Sequence, residues 1–292
     1  MLPQIKNIRF QQKGDNRAFF DILFLSDIMK LQPTDHSQFE NHRLTFFALL
    51  FITEGKGEHS INFTEYTFKK GTVFAIGRDS IHKFHASDAK GYLLVFTEDF
   101  VLQYLSKENA TKMFQLFNEQ LASAKQQLHE TDFASILPYL YAIRNEFFHI
   151  KDGFSAEMTR SLLHIIITQL HRIKSADNTA VFGQTKYLSQ FLRFQQLLET
   201  HWTEYKKVSF YADKMAITSR TLNNITHSIV HKSAKTVIND LLILKVKRLL
   251  INTHINITQI AYETGFYEAS HLFKFFKKQT GFSPSQFREQ FL

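Results

Sequence analysis

From Val208 onward this chain carries the same helix, tight turn, helix pattern twice, and no other stretch constrains the fold as strongly. In the second copy Ile257, Ile260 and Ala261 repeat at helical spacing, and Gly265 stands where a short helix ends in a left-handed turn. Leu272, Phe275 and Phe276 then mark one face of a second helix. The small Ala261 side chain lets the two helices cross closely. In the first copy Val208 and Ala212 take the places of Ile257 and Ala261. Ala216-Ile217 take those of Gly265-Phe266, and Leu222 that of Leu272, after a turn one residue shorter. The register then recovers, with His231-Lys232-Ser233-Ala234 opposite Gly281-Phe282-Ser283-Pro284. One such copy can occur in any three-helix bundle. Two in fixed register, joined by the apolar-periodic segment 236–250, predict an all-α unit in which one helix connects two matched pairs.

Charge separates the same segment from the rest. The formal net charge is +8, with 35 basic against 27 acidic residues. Residues 187–292 hold fourteen basic against seven acidic residues, whereas 1–186 are nearly neutral at 21 against 20. A basic excess confined to one domain is the electrostatic footprint of a polyanion-binding module. No apolar run approaches the roughly 18 residues that span a bilayer, and the N-terminus lacks an apolar signal core, so a cytoplasmic protein with no membrane partner is expected. Absence of cysteine excludes disulfides, thiolate metal sites and cysteine catalysis. No nucleophile elbow, phosphate-cradling glycine loop or carboxylate pair stands out, and neither an enzyme nor a cofactor is expected.

Upstream, short runs rich in Phe, Ile, Leu and Thr at 20–29, 45–53, 59–63, 66–68 and 72–76 are separated by Glu54-Gly55-Lys56-Gly57, Thr64-Glu65 and Lys69-Lys70-Gly71. This spacing predicts a small β-barrel or sandwich. If such a barrel holds a cavity, His42, Arg43, His82 and Lys83 near its mouth are the candidates to receive a polar or anionic ligand. Residues 98–174 read as helical. In the last of these helices Met158, Leu162, Leu163, Ile165, Ile166, Ile167, Leu170 and Ile173 cover half of the wheel, more than one partner needs. Met158, Leu162, Ile165 and Ile173 are candidates for contact with a second subunit in a homodimer, and burial of the whole face within one subunit is the alternative. Periodicity breaks at 175–180. The expected organisation is α+β: barrel and helices over 1–174 with the barrel at about 1–97, a linker over 175–186, and an all-α domain over 187–292.

The C-terminal residues resemble the DNA-binding domain of AraC-type transcriptional regulators, in which one helix bridges two helix-turn-helix units. The resemblance is most specific over 257–287, with the I-A-x-x-x-G-F core, the F-F-K-K-x-T-G run, Ser283-Pro284 and Phe287-Arg288. The first unit departs from the pattern at Thr226-His227-Ser228 and at His231. Carried over position by position, the resemblance implies that Arg220, Asn223 and Asn224 face the major groove in the first unit, and Glu268, Ser270, His271 and Lys274 in the second. Residues 42–82 are similar to the cupin-type sensor barrel that precedes this domain in many such regulators. The family then implies a double-stranded DNA operator, a small-molecule effector, a homodimer and contact with RNA polymerase. Metal-dependent cupins share the barrel, but alignment on residues 54–57 puts His42 at the first ligand position, Leu44 at the second, Ala48 at the glutamate and His82 at the distal histidine. With two ligands missing, no metal is expected. The alternatives are a cupin-fold metal-dependent enzyme and an architectural DNA-binding protein without an effector.

Overall fold

The computed structural model describes residues 6–8, 20–30, 37–102, 116–117, 123–150, 152–177, 185–252 and 255–291. Its contacts divide into two compact units, one within residues 6–177 and the other within 178–292.

Among the described residues the first unit has ten strands: β1 (Lys6–Ile8), β2 (Phe20–Phe24), β3 (His42–Leu44), β4 (Phe47–Glu54), β5 (Lys56–Ile61), β6 (Thr64–Lys69), β7 (Thr72–Ile76), β8 (Ile81–Phe84), β9 (Lys90–Phe96) and β10 (Lys125–Gln127). They form two five-stranded sheets in the orders β1-β3-β8-β5-β6 and β10-β7-β4-β9-β2. The pairings are antiparallel except for β1 on β3. Side chains alternate between faces of a strand, and this alternation creates two cores. Leu44, Ile61, Phe68 and Phe84 of the first sheet meet Ala48, Leu50, Ile52, Phe74, Ile76, Leu93 and Val95 of the second inside the barrel.

The other faces of the second sheet, carried by Phe47, Leu49, Phe51, Val73, Leu94 and Phe96, are covered by helices. Burial on both sides explains why Phe47 to Ile52 is continuously apolar rather than alternating. Fully buried Phe51 and Phe96 each contribute on the order of 2–3 kcal/mol.

Short helices α1 (Leu25–Lys30) and α2 (Glu98–Leu102) flank strands β2 and β9. The covering layer is α3 (Glu130–Asn145), which widens into a π-turn over Glu146–Ile150, and α4 (Ser155–Asp177). Helix α4 runs to Asp177, so the periodicity expected to end at Ser175 continues for three more residues. Of the expected linker, 178–184 lie outside the described residues, and Thr185 and Lys186 already belong to the next helix.

The second unit is helical: α5 (Thr185–His201), α6 (Val208–Lys214), α7 (Ser219–Val230), α8 (Ala234–Asn252), α9 (Ile257–Glu263), α10 (Ala269–Thr280) and α11 (Pro284–Phe291). Helices α6–α7 and α9–α10 are the two predicted pairs. Helix α8 joins them, burying Val237, Ile238, Leu241 and Leu242 in its first half and Val246, Leu250 and Ile251 in its second. Arg288 anchors α11, its Nε donating to the Leu250 carbonyl at 2.8 Å and a terminal guanidinium nitrogen to the Ile255 carbonyl at 2.9 Å.

Candidate functional site

The two helix pairs close in the same way. Ile217 N–H donates to the Ala212 carbonyl at 3.0 Å and Phe266 N–H to the Ala261 carbonyl at 2.8 Å, five residues back in each case. The turn residues Ala216 and Gly265 are both left-handed, at φ 54° and 71°, and the next matched pair, His231 and Gly281, likewise at 55° and 81°. Two positions where one copy uses glycine are thus filled in the other by residues that adopt the same backbone against their steric preference.

In both pairs the second helix buries one stripe and leaves the other face to solvent. Leu222, Ile225 and Ile229 of α7 are buried, while Arg220, Asn224 and His227 are exposed along the opposite side. In α10, Leu272 and Phe276 are buried and Phe275 packs on Phe266 at 5.4 Å between ring centroids. Glu268 at the N-cap and Ser270, His271, Lys274, Lys277 and Lys278 in the helix are exposed. The Ser270 hydroxyl donates to Glu268 Oε2 at 3.0 Å.

Asn223 differs from its neighbours. Its amide nitrogen donates to the Ser219 carbonyl and its amide oxygen accepts from Ala234 N–H, both at 3.0 Å. Both ends of the amide are tied to backbone, so Asn223 caps the start of α8 instead of presenting a free edge to a base. Phe273 and Tyr267, which sequence reasoning did not single out, are 40% and 91% exposed. The signal for Phe273 was available: it is apolar but stands off the stripe of Leu272 and Phe276.

In the barrel the four expected effector residues separate by strand parity. His42 and Leu44 on β3, and His82 and Phe84 on β8, are buried, whereas Arg43 and Lys83, one residue out of phase, are only partly buried. Arg43 and Lys83 therefore lie on the opposite face of the sheet, and the four cannot line one cavity.

What joins the inward pair is His59 of β5, which sequence reasoning did not single out. Ring centroids lie 4.0 Å apart for His42–His82 and 5.3 Å apart for His59–His82, with Phe84 4.6 Å and Phe74 5.3 Å from His59. Among the described residues no hydrogen-bond partner reaches either ring nitrogen of His59 or His82. Burial, reinforced by the neighbouring imidazoles, lowers His59 to about 3 and holds His82 well below the usual histidine range, so both are neutral at physiological pH. His85, one of the imidazoles that act on His59, has its Nε2 3.0 Å from Glu65 Oε2. Leu44 and Ala48 fill the two positions where a metal-binding cupin has its second histidine and glutamate, and both are buried in the interior core. Among the described residues no group of three or more His, Asp or Glu side chains is arranged to hold a metal ion.

A family model for the AraC-like ligand-binding domain matches residues 31–138, over the barrel and the first half of α3, and a helix-turn-helix domain model matches 211–290, over both helix pairs. The chain belongs to the AraC-type transcriptional regulators. It is similar to the transcriptional activator RhaS of Salmonella paratyphi A, 24% identical over 257 residues that cover 86% of this chain and 88% of that one. It is also similar to RhaS of Enterobacter sp. (strain 638), 21% identical over 262 residues with the same coverage. Among solved structures, ToxT of Vibrio cholerae aligns over 94% of this chain and 99% of that one at 14% identity, with a TM-score of 0.44.

The regulator thus joins a β-rich N-terminal ligand-binding domain to a helical DNA-binding domain. Helix α4 of this AraC-type protein divides its broad apolar face. Leu163, Ile166, Ile167 and Leu170 are buried in the core that the second sheet shares with α3, and Leu162 and Ile173, expected at a subunit contact, pack partly on the same core. Met158 and Ile165 remain 48% and 37% exposed. Among the described residues no helix is long and apolar enough to cross a membrane.

Proposed function

We propose that the regulator reads duplex DNA through two recognition helices, with Arg220 and Asn224 of α7 and Glu268, Ser270, His271 and Lys274 of α10 turned to the bases. The observation that carries this reading is the repeated geometry: two helix pairs with matching left-handed turns each expose a polar, basic helix face. Arg and Asn offer bidentate contacts to guanine and adenine, Lys donates to guanine acceptors and Glu accepts from cytosine. Phe273 adds an apolar surface suited to a thymine methyl group. Asn223 acts from behind the interface, holding α8 in place.

Replacement of Arg220 or Lys274 by alanine is expected to cost about 1–3 kcal/mol of operator binding and to relax preference at one or two base pairs. Gel-shift titration against the duplex selected by the parent from a random pool measures both quantities. Variants that bind that duplex with the parent's affinity and selectivity would place the recognition surface elsewhere.

The same reading makes the protein a cytoplasmic homodimer with no enzymatic activity of its own, its DNA-binding domains controlled by an organic effector bound in the N-terminal domain. The family resemblance adds contact with RNA polymerase. Neutral His59 and His82, each with one donor and one acceptor nitrogen, supply polar groups beside His42 in a largely aliphatic and aromatic interior, and Leu44 and Ala48 argue against a metal there. Met158 and Ile165 supply the exposed apolar surface of α4 for the second subunit. The finer domain limits, with a linker near 178–184, follow from this division of labour.

A further inference from the structure

The bridging helix α8 is not the only connection between the two helix-turn-helix units. Lys206, in the segment between α5 and α6, is half-buried and sends its ammonium group across to the turn of the second unit. Its Nζ donates to the Gly265 carbonyl at 2.6 Å and to the Thr203 carbonyl at 3.1 Å, and it lies 5.0 Å from the centroid of the Phe266 ring. The two segments approach as closely as backbones can. A Cβ added at Gly265 would fall 1.6 Å from the Thr203 carbonyl oxygen and 2.6 Å from Lys206 Nζ. Lys235, in the first turn of α8, donates to the Lys206 carbonyl at 3.0 Å.

One lysine therefore ties together the segment leading into the first unit, the bridging helix and the turn of the second unit, 59 residues away in sequence. Its partners are two carbonyls and an aromatic face, so the contact is directional and shaped by the turn itself. The ammonium works against a nearby like charge, since burial and then Lys235 hold it below the ordinary lysine range.

We propose that Lys206 is a positioning residue that sets the angular phase between the two recognition helices. Helix α8 fixes how far apart the units stand, but a single helix resists rotation of the second unit about its end only weakly. The Lys206 contact to the Gly265 carbonyl supplies a second point of attachment away from the helix axis, and two points define an orientation. Both recognition helices are then presented together to successive major grooves, which lie roughly 34 Å or 10 bp apart on one face of the duplex. This inference rests on the reading that both units contact DNA.

The test uses the full-length protein and the duplex it selects from a random-sequence pool, with Lys206→Met to remove the ammonium while keeping the stem. Lys235→Met is a milder second variant that leaves the Gly265 contact in place. Affinity is measured on the complete duplex, on duplexes with either half-block randomised, and on duplexes with one or two base pairs inserted between the blocks.

Lys206→Met is expected to lose about tenfold on the complete duplex, the scale of one charge-assisted hydrogen bond, and to keep the parent's affinity for each single block. Its penalty for the insertions should be smaller than the parent's, because a loosened pair accommodates altered phase. Lys235→Met should move in the same direction by less. Parental affinity and spacing dependence in Lys206→Met would overturn the proposal. So would equal losses on single blocks and on the complete duplex, and a salt slope reduced by about one would assign that loss to a phosphate contact. If the parent itself ignores randomisation of one block, the two-unit reading fails first, and it fails visibly without any variant.

Discussion

Acid should unfold the barrel before the DNA-binding domain, and His59 is the group through which this can be measured. Its ring is fully buried beside Phe74, Phe84 and His82, and this burial lowers its pKa from 6.5 to about 3. The folded barrel holds it neutral, while the unfolded chain protonates it at its ordinary value. Between pH 6.5 and about 3 the unfolded state binds one more proton than the folded state, so stability is fully present above pH 6.5 and is lost as pH falls through that window.

At pH 5 the deficit is 1.5 pH units, or about 2 kcal/mol for this residue. His82, also held below its ordinary range, adds a loss of the same sign. The assay is urea unfolding at pH 7.5 and pH 5, read by pulse-labelled hydrogen exchange of β4 and β9 amides at one fixed labelling pH. Trp202, the single tryptophan, reports the C-terminal unit separately. His59→Leu removes the titration while keeping an apolar side chain in place, and it should cut the pH-dependent loss of the barrel by about 2 kcal/mol relative to the parent. An identical loss in parent and variant would show that His59 is not held neutral in the folded barrel, and the account of the interior would fail.

Three further outcomes follow from the same structure. His231→Gly should stabilise the C-terminal unit by about 1 kcal/mol in urea unfolding followed at Trp202, because a non-glycine residue at φ 55° carries a left-handed penalty that glycine lacks; no gain would mean that His231 makes compensating contacts. Gly265→Ala should cost about 3 kcal/mol or more in the same assay, since its Cβ would overlap the Thr203 carbonyl, although Ala216 is tolerated at the matching position. Ile165→Asp and Met158→Asp, at exposed positions of α4, should yield folded monomers by light scattering. Aggregation or loss of the parent's circular dichroism in these variants would assign the positions to the intramolecular core.

Local features of the fold are legible in the sequence. Helical spacing and the register of Gly265 and Gly281 with Ala216 and His231 depend on residues a few positions apart, and the structure gives all four turn positions left-handed backbones. The double helix-turn-helix unit and the β-rich unit before it were read from such signals. Strand parity was equally local and would have separated His42 and His82 from Arg43 and Lys83, had a period of two been applied to those pairs.

Other features depend on partners distant in sequence. Asn223 has the chemistry of a base reader, and only the approach of Ala234 eleven residues on makes it a cap. Leu162 and Ile173 look like their neighbour Ile165 on a helical wheel, and which of them meets the barrel depends on how α4 lies against the second sheet. His59 joins His82 because β5 and β8 pair across the sheet, and Lys206 meets Gly265 because the segment before α6 lies against the turn of the second unit. Period and turn chemistry are properties of short segments, whereas burial and hydrogen-bond pairing belong to the packed chain, and no local pattern specifies which polar side chain the packing will claim.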